Sequence, residues 1–385
     1  MKYQNANNLL PPELLREIQR YCQGGYLYIP KIAEATPEKE TTYQVELSKR
    51  NEHIYQKHLQ GWRGRDLAEY YNLSGSSIRR ILLNARKEAD TMHDKIHQVL
   101  QNWNLINSTL VQRDTSVWEV GETYMLKAYQ DIPSAQRNAD ILRQLRLAGI
   151  PAAEVISTAD GKPFFRDEEK AYLMTRKLPG KPYAGPIDSA FAHRLGTILA
   201  QLHMAFQNVE SIIPVWNNSL LDELKGWICE KLEENNWEII PRAVYDEIVS
   251  NLSDCDSGLA VQMIHRDVHT GNFLFSDGAF SGYIDFDLSQ RNIRIFDLCY
   301  FLAGLLAKET AANLADPWSQ IAAAAVAGYE ARCPLSREEK AAISLVMQAI
   351  EILFAAYFIS IQDVACACDA AQVMRRIREE NLILR

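Results

Sequence analysis

Residues 265–287 read HRDVHTGNFLFSDGAFSGYIDFD, and this stretch decides how the chain is read. It holds His265-x-Asp267-x-x-x-x-Asn272, then the apolar run Phe273–Leu274–Phe275, a turn at Ser276–Asp277–Gly278, and Tyr283–Ile284–Asp285–Phe286–Asp287. Two apolar runs around a Gly-containing turn predict a β-hairpin. Such a hairpin returns Asp285 to the side of Asp267 and Asn272. Moving a phosphoryl group from a nucleotide needs a carboxylate beside the attacking hydroxyl, and oxygen ligands for the Mg²⁺ that neutralises the phosphates. Asp267 fits the first need as catalytic base, and Asn272 with Asp285 fits the second as metal ligands. Two other readings compete. One is a surface hairpin with chance polar residues, since Asp-rich turns are common. The other takes His265, Asp267 and His269 as the metal ligands of a hydrolase. That site needs further ligands, and no second His/Asp cluster is present in the sequence.

HxDxxxxN followed by a strand, a turn and an IDxD strand resembles the catalytic and metal loops of the protein-kinase-like fold. Gly271 before Asn272, and IDFD in place of DFG, are similar to the aminoglycoside phosphotransferase and choline kinase branch of that fold. The resemblance covers about residues 105–385. It implies a bilobal phosphotransferase using ATP or GTP with Mg²⁺. It also implies a structural role for His265, which would hold the loop by a hydrogen bond.

Other segments follow in the order the resemblance implies. YMLKAY (124–129) reads as a strand, and the two-residue period puts Met125 and Lys127 on one face. Lys127 would reach the α- and β-phosphates, and Met125 would lie under the adenine. LVQRDTSVWEV (110–120) occupies the place of the phosphate-covering loop but lacks glycine. The amides of Asp114, Thr115 and Ser116 would cradle phosphate there; a plain hairpin turn fits the same residues equally well. AYLMTRKLPGKPY (171–183) resembles the hinge, where backbone groups around Met174, Thr175 and Arg176 would pair with the adenine edge. SAFAHRLGTILAQLHMAF (189–206) carries Phe191, Leu195, Leu199, Leu202 and Phe206 at helical spacing, so His203 reads as a core histidine. One departure stands out. In the helix SAQRNADILRQLRLAGIP (134–151), Asn138 falls where the family carries a Glu that pairs with the Lys. Either Asp140 substitutes for it, or Lys127 is held less firmly.

Asp297 follows Asp285 by only 12 residues, inside IRIFDLCYFLAGLLA. A protein kinase places a long activation segment there. Its absence from the sequence favours a small hydroxylated acceptor over a protein. Asp297 reads as a brace to the catalytic loop, and the later helical stretches would build the substrate wall. The charge of residues 96–385, 26 Lys and Arg against 37 Asp and Glu, is compatible with a cationic acceptor but does not locate a pocket.

Residues 1–95 are different, with 15 Lys and Arg against 12 Asp and Glu. GWRGRDLAEYYNLSGSSIRRILLNARK (61–87) reads as helix, tight turn, helix. Leu67, Ala68, Tyr71, Ile78, Ile81, Leu82 and Ala85 form its inner face, and Ser74 or Ser76 caps the second helix. The outer face holds Ser76, Ser77, Arg79, Arg80, Arg86 and Lys87, which suit a helix lying in a DNA major groove; a solvated basic face is the plainer reading. PPELLREIQRYCQGGYLYIPK (11–31) and KRNEHIYQKHLQGWRGRDLAEYYNLSGSSIRRIL (49–82) resemble the small domain of phage Mor-type transcription activators, over about residues 9–87. That resemblance implies a homodimer paired through Tyr26 to Ile29.

The expected architecture is therefore α+β. A helical helix-turn-helix domain (1–88) and a helical connector (89–104) precede a kinase N-lobe (105–177) and C-lobe (178–385). The expected function is an ATP- and Mg²⁺-dependent kinase of a small hydroxylated molecule, aminoglycoside- or choline-like. The alternative is a transcription regulator whose kinase-like half senses a nucleotide or small ligand without turnover. The 47% hydrophobic content suits buried cores. The polar start MKYQNANNLLPPE is unlike a signal peptide, and the apolar stretch 343–361 is broken by Gln348 and Glu351, so it reads as a core helix. A cytoplasmic protein without membrane contact is expected. The seven cysteines, Cys366 and Cys368 among them, read as reduced buried thiols.

Overall fold

A computed structural model of the chain describes residues 50–380, apart from 52, 56, 59, 60, 72, 168, 169 and 308–312. The expected dimer strand at Tyr26 to Ile29 and the helix before it lie outside the described residues. The chain divides into two compact units, one ending at Met92 and one beginning at His93.

In the smaller unit, helix α1 (Gly64–Tyr70) is followed after a short turn by α2 (Gly75–Leu100). Ser74 starts α2: its Oγ accepts the Ser77 amide at 3.0 Å, satisfying a donor that the first helical turn leaves open. Ile54, Leu67, Ile78 and Ile81 form a small core, joined by Trp62, Ala68, Tyr71, Leu73 and Leu82. Ser76, Arg79, Arg80, Arg86 and Lys87 are exposed on the other side of α2, and Ser77 is half-buried. Residues 89–103 fall within α2 and a 3₁₀ turn at Gln101–Trp103, which Asn104 caps.

The larger unit opens with β1 (Leu110–Asp114), β2 (Val117–Val120) and β3 (Tyr124–Tyr129). Helix α3 (Ile132–Leu147) follows, started by Asp131, whose side chain accepts the Ser134 amide. β4 (Phe165–Arg166) and β5 (Ala171–Arg176) complete an antiparallel sheet of order β1-β2-β3-β5-β4. The remainder is largely helical. β6 (Lys181–Pro182) pairs with the hairpin β8 (Phe273–Ser276) and β9 (Ala279–Tyr283), and β7 (Val261–Ile264) pairs with β10 (Gln290–Ile293). Around these strands run α4 (Ser189–Val209), α5 (Leu220–Glu223), α6 (Cys229–Glu234), α7 (Arg242–Cys255), α8 (Ile295–Gly304), α9 (Trp318–Glu330), α10 (Arg337–Ser360) and α11 (Val364–Glu380).

Two glycines set a close helix contact. A Cβ on Gly196 of α4 would meet the Ala325 carbonyl oxygen at 1.9 Å, and one on Gly328 of α9 would meet the His193 oxygen at 1.9 Å. The backbones therefore touch where no side chain intervenes. Helix α10 is long and apolar enough to cross a membrane, but Ile343, Val346, Met347, Ile350 and Ile352 are buried in the protein core, which is the behaviour of a core helix. The thiols depart from expectation. Cys299 and Cys333 are buried, but Cys368 is exposed and Cys366 half-buried. Residues two apart on α11 point about 200° apart, so the pair cannot share the inner face.

Candidate active site

The loop after β7 is held from below by Asp297, fully buried in the first turn of α8. Its Oδ2 accepts the His265 amide and its Oδ1 the Arg266 amide, each at 2.7 Å. His203 contacts the same Oδ2 through Nε2 at 3.0 Å, and its Nδ1 meets the Tyr329 hydroxyl at 2.7 Å. These bonds hold Arg266 at φ +70°, a conformation costly for a side chain with a Cβ. His265 accepts the Asp267 amide on Nδ1 (3.3 Å), so the proton sits on Nε2, which donates to the Ile284 carbonyl at 3.0 Å. Burial pushes the His265 pKa down and keeps the ring neutral. Both ring nitrogens are spent, which removes His265 from any metal-ligand set. Among the described residues no three His, Cys, Asp or Glu side chains cluster to hold a metal by themselves.

Three donors converge on Asp267. Asn272 Nδ2 donates to its backbone oxygen at 2.9 Å and to Oδ2 at 3.0 Å, and the Tyr300 hydroxyl donates to Oδ1 at 2.7 Å. His269 Nε2 stands 3.7 Å from Oδ2. Burial alone would raise the pKa of this carboxyl; the nearby His269 and the hydrogen bond from Tyr300 outweigh it and bring it to about 2. With its NH₂ committed to Asp267, Asn272 is left with its amide oxygen to offer. The hairpin delivers Asp285 beside it, where the Ile284 amide donates to the Asn272 carbonyl at 3.2 Å. Asp285 itself sits at φ +65°, a second strained position. A carboxylate and an amide oxygen are the hard donors that Mg²⁺ takes alongside phosphate oxygens, so the donor set fits a divalent ion.

Lys127 on β3 reaches across 158 residues of sequence to this hairpin. Its Nζ lies 2.9 Å from Asp285 Oδ1 and 2.5 Å from Asp287 Oδ2. The Tyr129 hydroxyl donates to Asp287 Oδ1 at 3.2 Å. Burial pulls the lysine pKa down, but the charges of Asp287 and then Asp285 more than restore it, so the net shift is upward. The lysine's partner is thus not on α3. Asn138 is buried and donates to the Ser134 carbonyl (3.2 Å), while Asp140 accepts from Gln136 at 2.8 Å. The expected substitution by Asp140 does not occur.

Other expected positions separate into two groups. Met125 lies on β3, paired with Glu119 on one side and Thr175 on the other. Thr115 and Ser116 form the β1–β2 turn. The Thr115 amide is taken by Asp114 Oδ1 at 2.6 Å, and the Ser116 carbonyl by the Ala128 amide at 2.9 Å. The expected hinge lies at the end of β5. The Met174 carbonyl accepts the Ile156 amide at 2.9 Å and the Arg176 amide donates to Glu154 at 2.8 Å, while Thr175 is paired with Met125. β5 therefore has hydrogen-bonding neighbours on both sides, which take the Met174 carbonyl and the Arg176 amide. Asp287 and Tyr300 were not foreseen, although Asp287 lies inside the deciding motif. His269 was considered only as a metal ligand.

The phosphotransferase enzyme family matches residues 109–335, more than half of the chain, and the chain belongs to it. It resembles the homoserine kinase of Phenylobacterium zucineum (strain HLK1), 25% identical over 305 residues, covering 75% of this chain and 85% of that protein. It also resembles that of Gluconobacter oxydans (strain 621H), 26% identical over 220 residues, covering 56% and 67%. Among solved structures, an amicoumacin kinase in complex with AMP-PNP, Ca²⁺ and Ami shares the fold with a TM-score of 0.59 at 18% identity, over 76% of this chain and 94% of that one. A microcompartment-associated aminopropanol kinase does so at 0.51 and 18%, over 76% and 99%. The chain is an ATP-dependent small-molecule kinase that transfers its phosphoryl group to a hydroxyl acceptor.

Proposed function

We propose that the larger unit phosphorylates the hydroxyl of a small amino alcohol or hydroxy amino acid, homoserine being the first candidate, with ATP and Mg²⁺. The observation that carries this reading is the convergence of Asp267, Asn272, Asp285 and Lys127 on one cleft edge. Asp267 would orient the acceptor hydroxyl and take its proton as the oxygen attacks in line. With its pKa near 2 the carboxylate is a weak base, so orientation is its larger contribution. Asn272 and Asp285 would hold Mg²⁺, which neutralises charge on the phosphates. Lys127 would grip the α- and β-phosphates, steadied by Asp287. The adenine would lie by Met125, its edge read by backbone groups around Met174, Thr175 and Arg176. The homoserine kinase relatives, and the 12-residue step from Asp285 to Asp297 with no room for a peptide platform, support the choice of a small acceptor.

A coupled assay of ATP turnover with homoserine, 1-amino-2-propanol, choline and an aminoglycoside tests this, with Asp267→Asn as the blank. Transfer to one of them that drops by about 10³-fold or more in the variant, with nucleotide affinity retained, is expected. Equal turnover by the variant would overturn the role given to Asp267.

The exposed row Arg79, Arg80, Arg86 and Lys87, opposite the buried Ile78 and Ile81, supports a second activity in the smaller unit: binding of DNA through α2.

A further inference from the structure

The Tyr300 side chain is half-buried on α8, its ring 6.1 Å from that of Phe296 and 5.4 Å from that of Phe354. A phenylalanine would fill that space equally well, so packing does not explain the hydroxyl. The hydroxyl donates to Asp267 Oδ1 at 2.7 Å. Burial, then the charge of Asp267, pushes the phenol pKa well up, so the group keeps its proton and stays a donor.

A carboxylate that must face an acceptor needs more than one anchor. The last torsion of an aspartate has broad wells, so the carboxylate plane swings unless both oxygens are held. Asn272 Nδ2 holds Oδ2 at 3.0 Å and the backbone oxygen at 2.9 Å, which fixes one end of the group. His269 stands 3.7 Å from Oδ2, beyond the reach of a good hydrogen bond. The bond at Oδ1 is the one that stops the plane from swinging. It comes from the helix that carries Asp297, and the two residues are three apart, on one face of α8. Asp297 takes the His265 and Arg266 amides. One turn of α8 thus grips three consecutive residues of the loop, two by the main chain and the third by its carboxylate.

We propose that Tyr300 is a positioning residue for phosphoryl transfer, holding the Asp267 carboxylate in the plane that meets the acceptor hydroxyl. In that step the acceptor O–H bond breaks and its oxygen bonds to the γ-phosphorus. The bond from that phosphorus to ADP breaks, and the proton passes to Asp267. Tyr300 exchanges no proton. It narrows the angles from which the carboxylate can receive one, and a misdirected base costs rate more than binding. This inference rests on the kinase reading above and deepens it by naming the residue that orients its base.

The test replaces Tyr300 in the full-length protein in two ways. Tyr300→Phe keeps the ring and removes the donor. Replacement of Tyr300 by 4-aminophenylalanine returns a donor to the same place. Turnover is measured with ATP and whichever of the four acceptors the wild type phosphorylates. In Tyr300→Phe, kcat falls by about 10–100-fold while the KM for ATP and for the acceptor stays within about two-fold, and the amino side chain recovers part of the loss. A kcat within about two-fold of the wild type would overturn the inference while leaving the kinase reading intact. So would a loss that the amino side chain leaves unrepaired. Thermal melting supplies a readout that needs no turnover. Tyr300→Phe lowers the melting temperature by about 2–4 °C in the wild type and not at all in an Asp267→Ala background, where the acceptor of the bond is already gone. Equal lowering in both backgrounds means that the phenol does not act through Asp267, and refutes the inference. Should the wild type phosphorylate none of the acceptors, the kinase assignment of these acceptors fails, and the melting comparison alone decides whether Tyr300 holds Asp267.

Discussion

At Asp267 one carboxylate gathers an amide NH₂, a phenol and an imidazole, and the direction of its pKa shift carries a stability consequence. A free Asp titrates near about 3.9; here the folded value is about 2. A depressed acid contributes stability that is complete above the unfolded value and is lost as pH falls through the folded one. Urea unfolding between about pH 4 and pH 2 should therefore show the wild type losing more stability than Asp267→Asn. Parallel curves would mean that the carboxylate gains nothing from its donors. His269 runs the other way. Its pKa is raised above 6.5, chiefly by the Asp267 carboxylate beside it, so its contribution is present below that value and fades as pH rises through the folded one. Asp287 gives a second prediction. Lys127 has two acidic partners, one of which, Asp285, belongs to the proposed metal set. Asp287→Asn leaves the lysine only the partner that the metal also needs. The KM for ATP should rise by about 10-fold, roughly one charge-assisted bond, with a smaller change in kcat. An unchanged KM would return Lys127 to the status of an unanchored cation.

At the level of elements, packing of α4 on α9 depends on two missing side chains. Gly328→Ala puts a methyl group against the His193 carbonyl, and Gly196→Ala does the same against Ala325, so the helices must separate. Each substitution should cost about 1–3 kcal/mol and lower the melting temperature, without a direct effect on bound nucleotide. An unchanged melt would show that the crossing relaxes freely. The same elements show what sequence can and cannot convey. α4 was legible because its apolar residues recur at helical spacing, and the catalytic hairpin because its acids, turn and strands lie within 23 residues of one another. The partner of Lys127 was not legible. It depends on how β3 meets a hairpin 158 residues away, and a one-dimensional alignment could only point to Asn138 or Asp140 on the next helix. Nor does anything in AYLMTR say that residues 154–156 will pair along the outer side of β5, taking the Met174 carbonyl and the Arg176 amide. Tyr300 was in plain view in IRIFDLCYF, but its bond to Asp267 arises only from the tertiary packing of α8.

For the whole molecule, charge separates the two units more sharply than composition does. The chain carries a net −8, distributed as +3 over residues 1–95 and −11 over 96–385. At physiological salt the screening length is about 8 Å, so the net charge of a whole unit does not decide the field at a local basic row. On the DNA-binding proposal, the exposed Arg79, Arg80, Arg86 and Lys87 of α2 would act on the polyanion by their own charge. Each phosphate they neutralise releases condensed counterions, and the logarithm of affinity falls with the logarithm of salt by about 0.9 per contact. For the full chain on mixed-sequence duplex DNA, Arg79→Ala with Arg80→Ala should weaken binding and reduce that slope by roughly two contacts' worth, about 1.8. Both arginines are exposed and outside the small core, so the variant keeps Ile54, Leu67, Ile78 and Ile81 packed and should melt as the wild type does. Retention of the wild-type affinity and slope would mean that α2 presents only a solvated basic face. A loss of affinity with an unchanged slope would instead implicate contacts other than phosphate, because only ion pairing with the backbone moves the salt dependence.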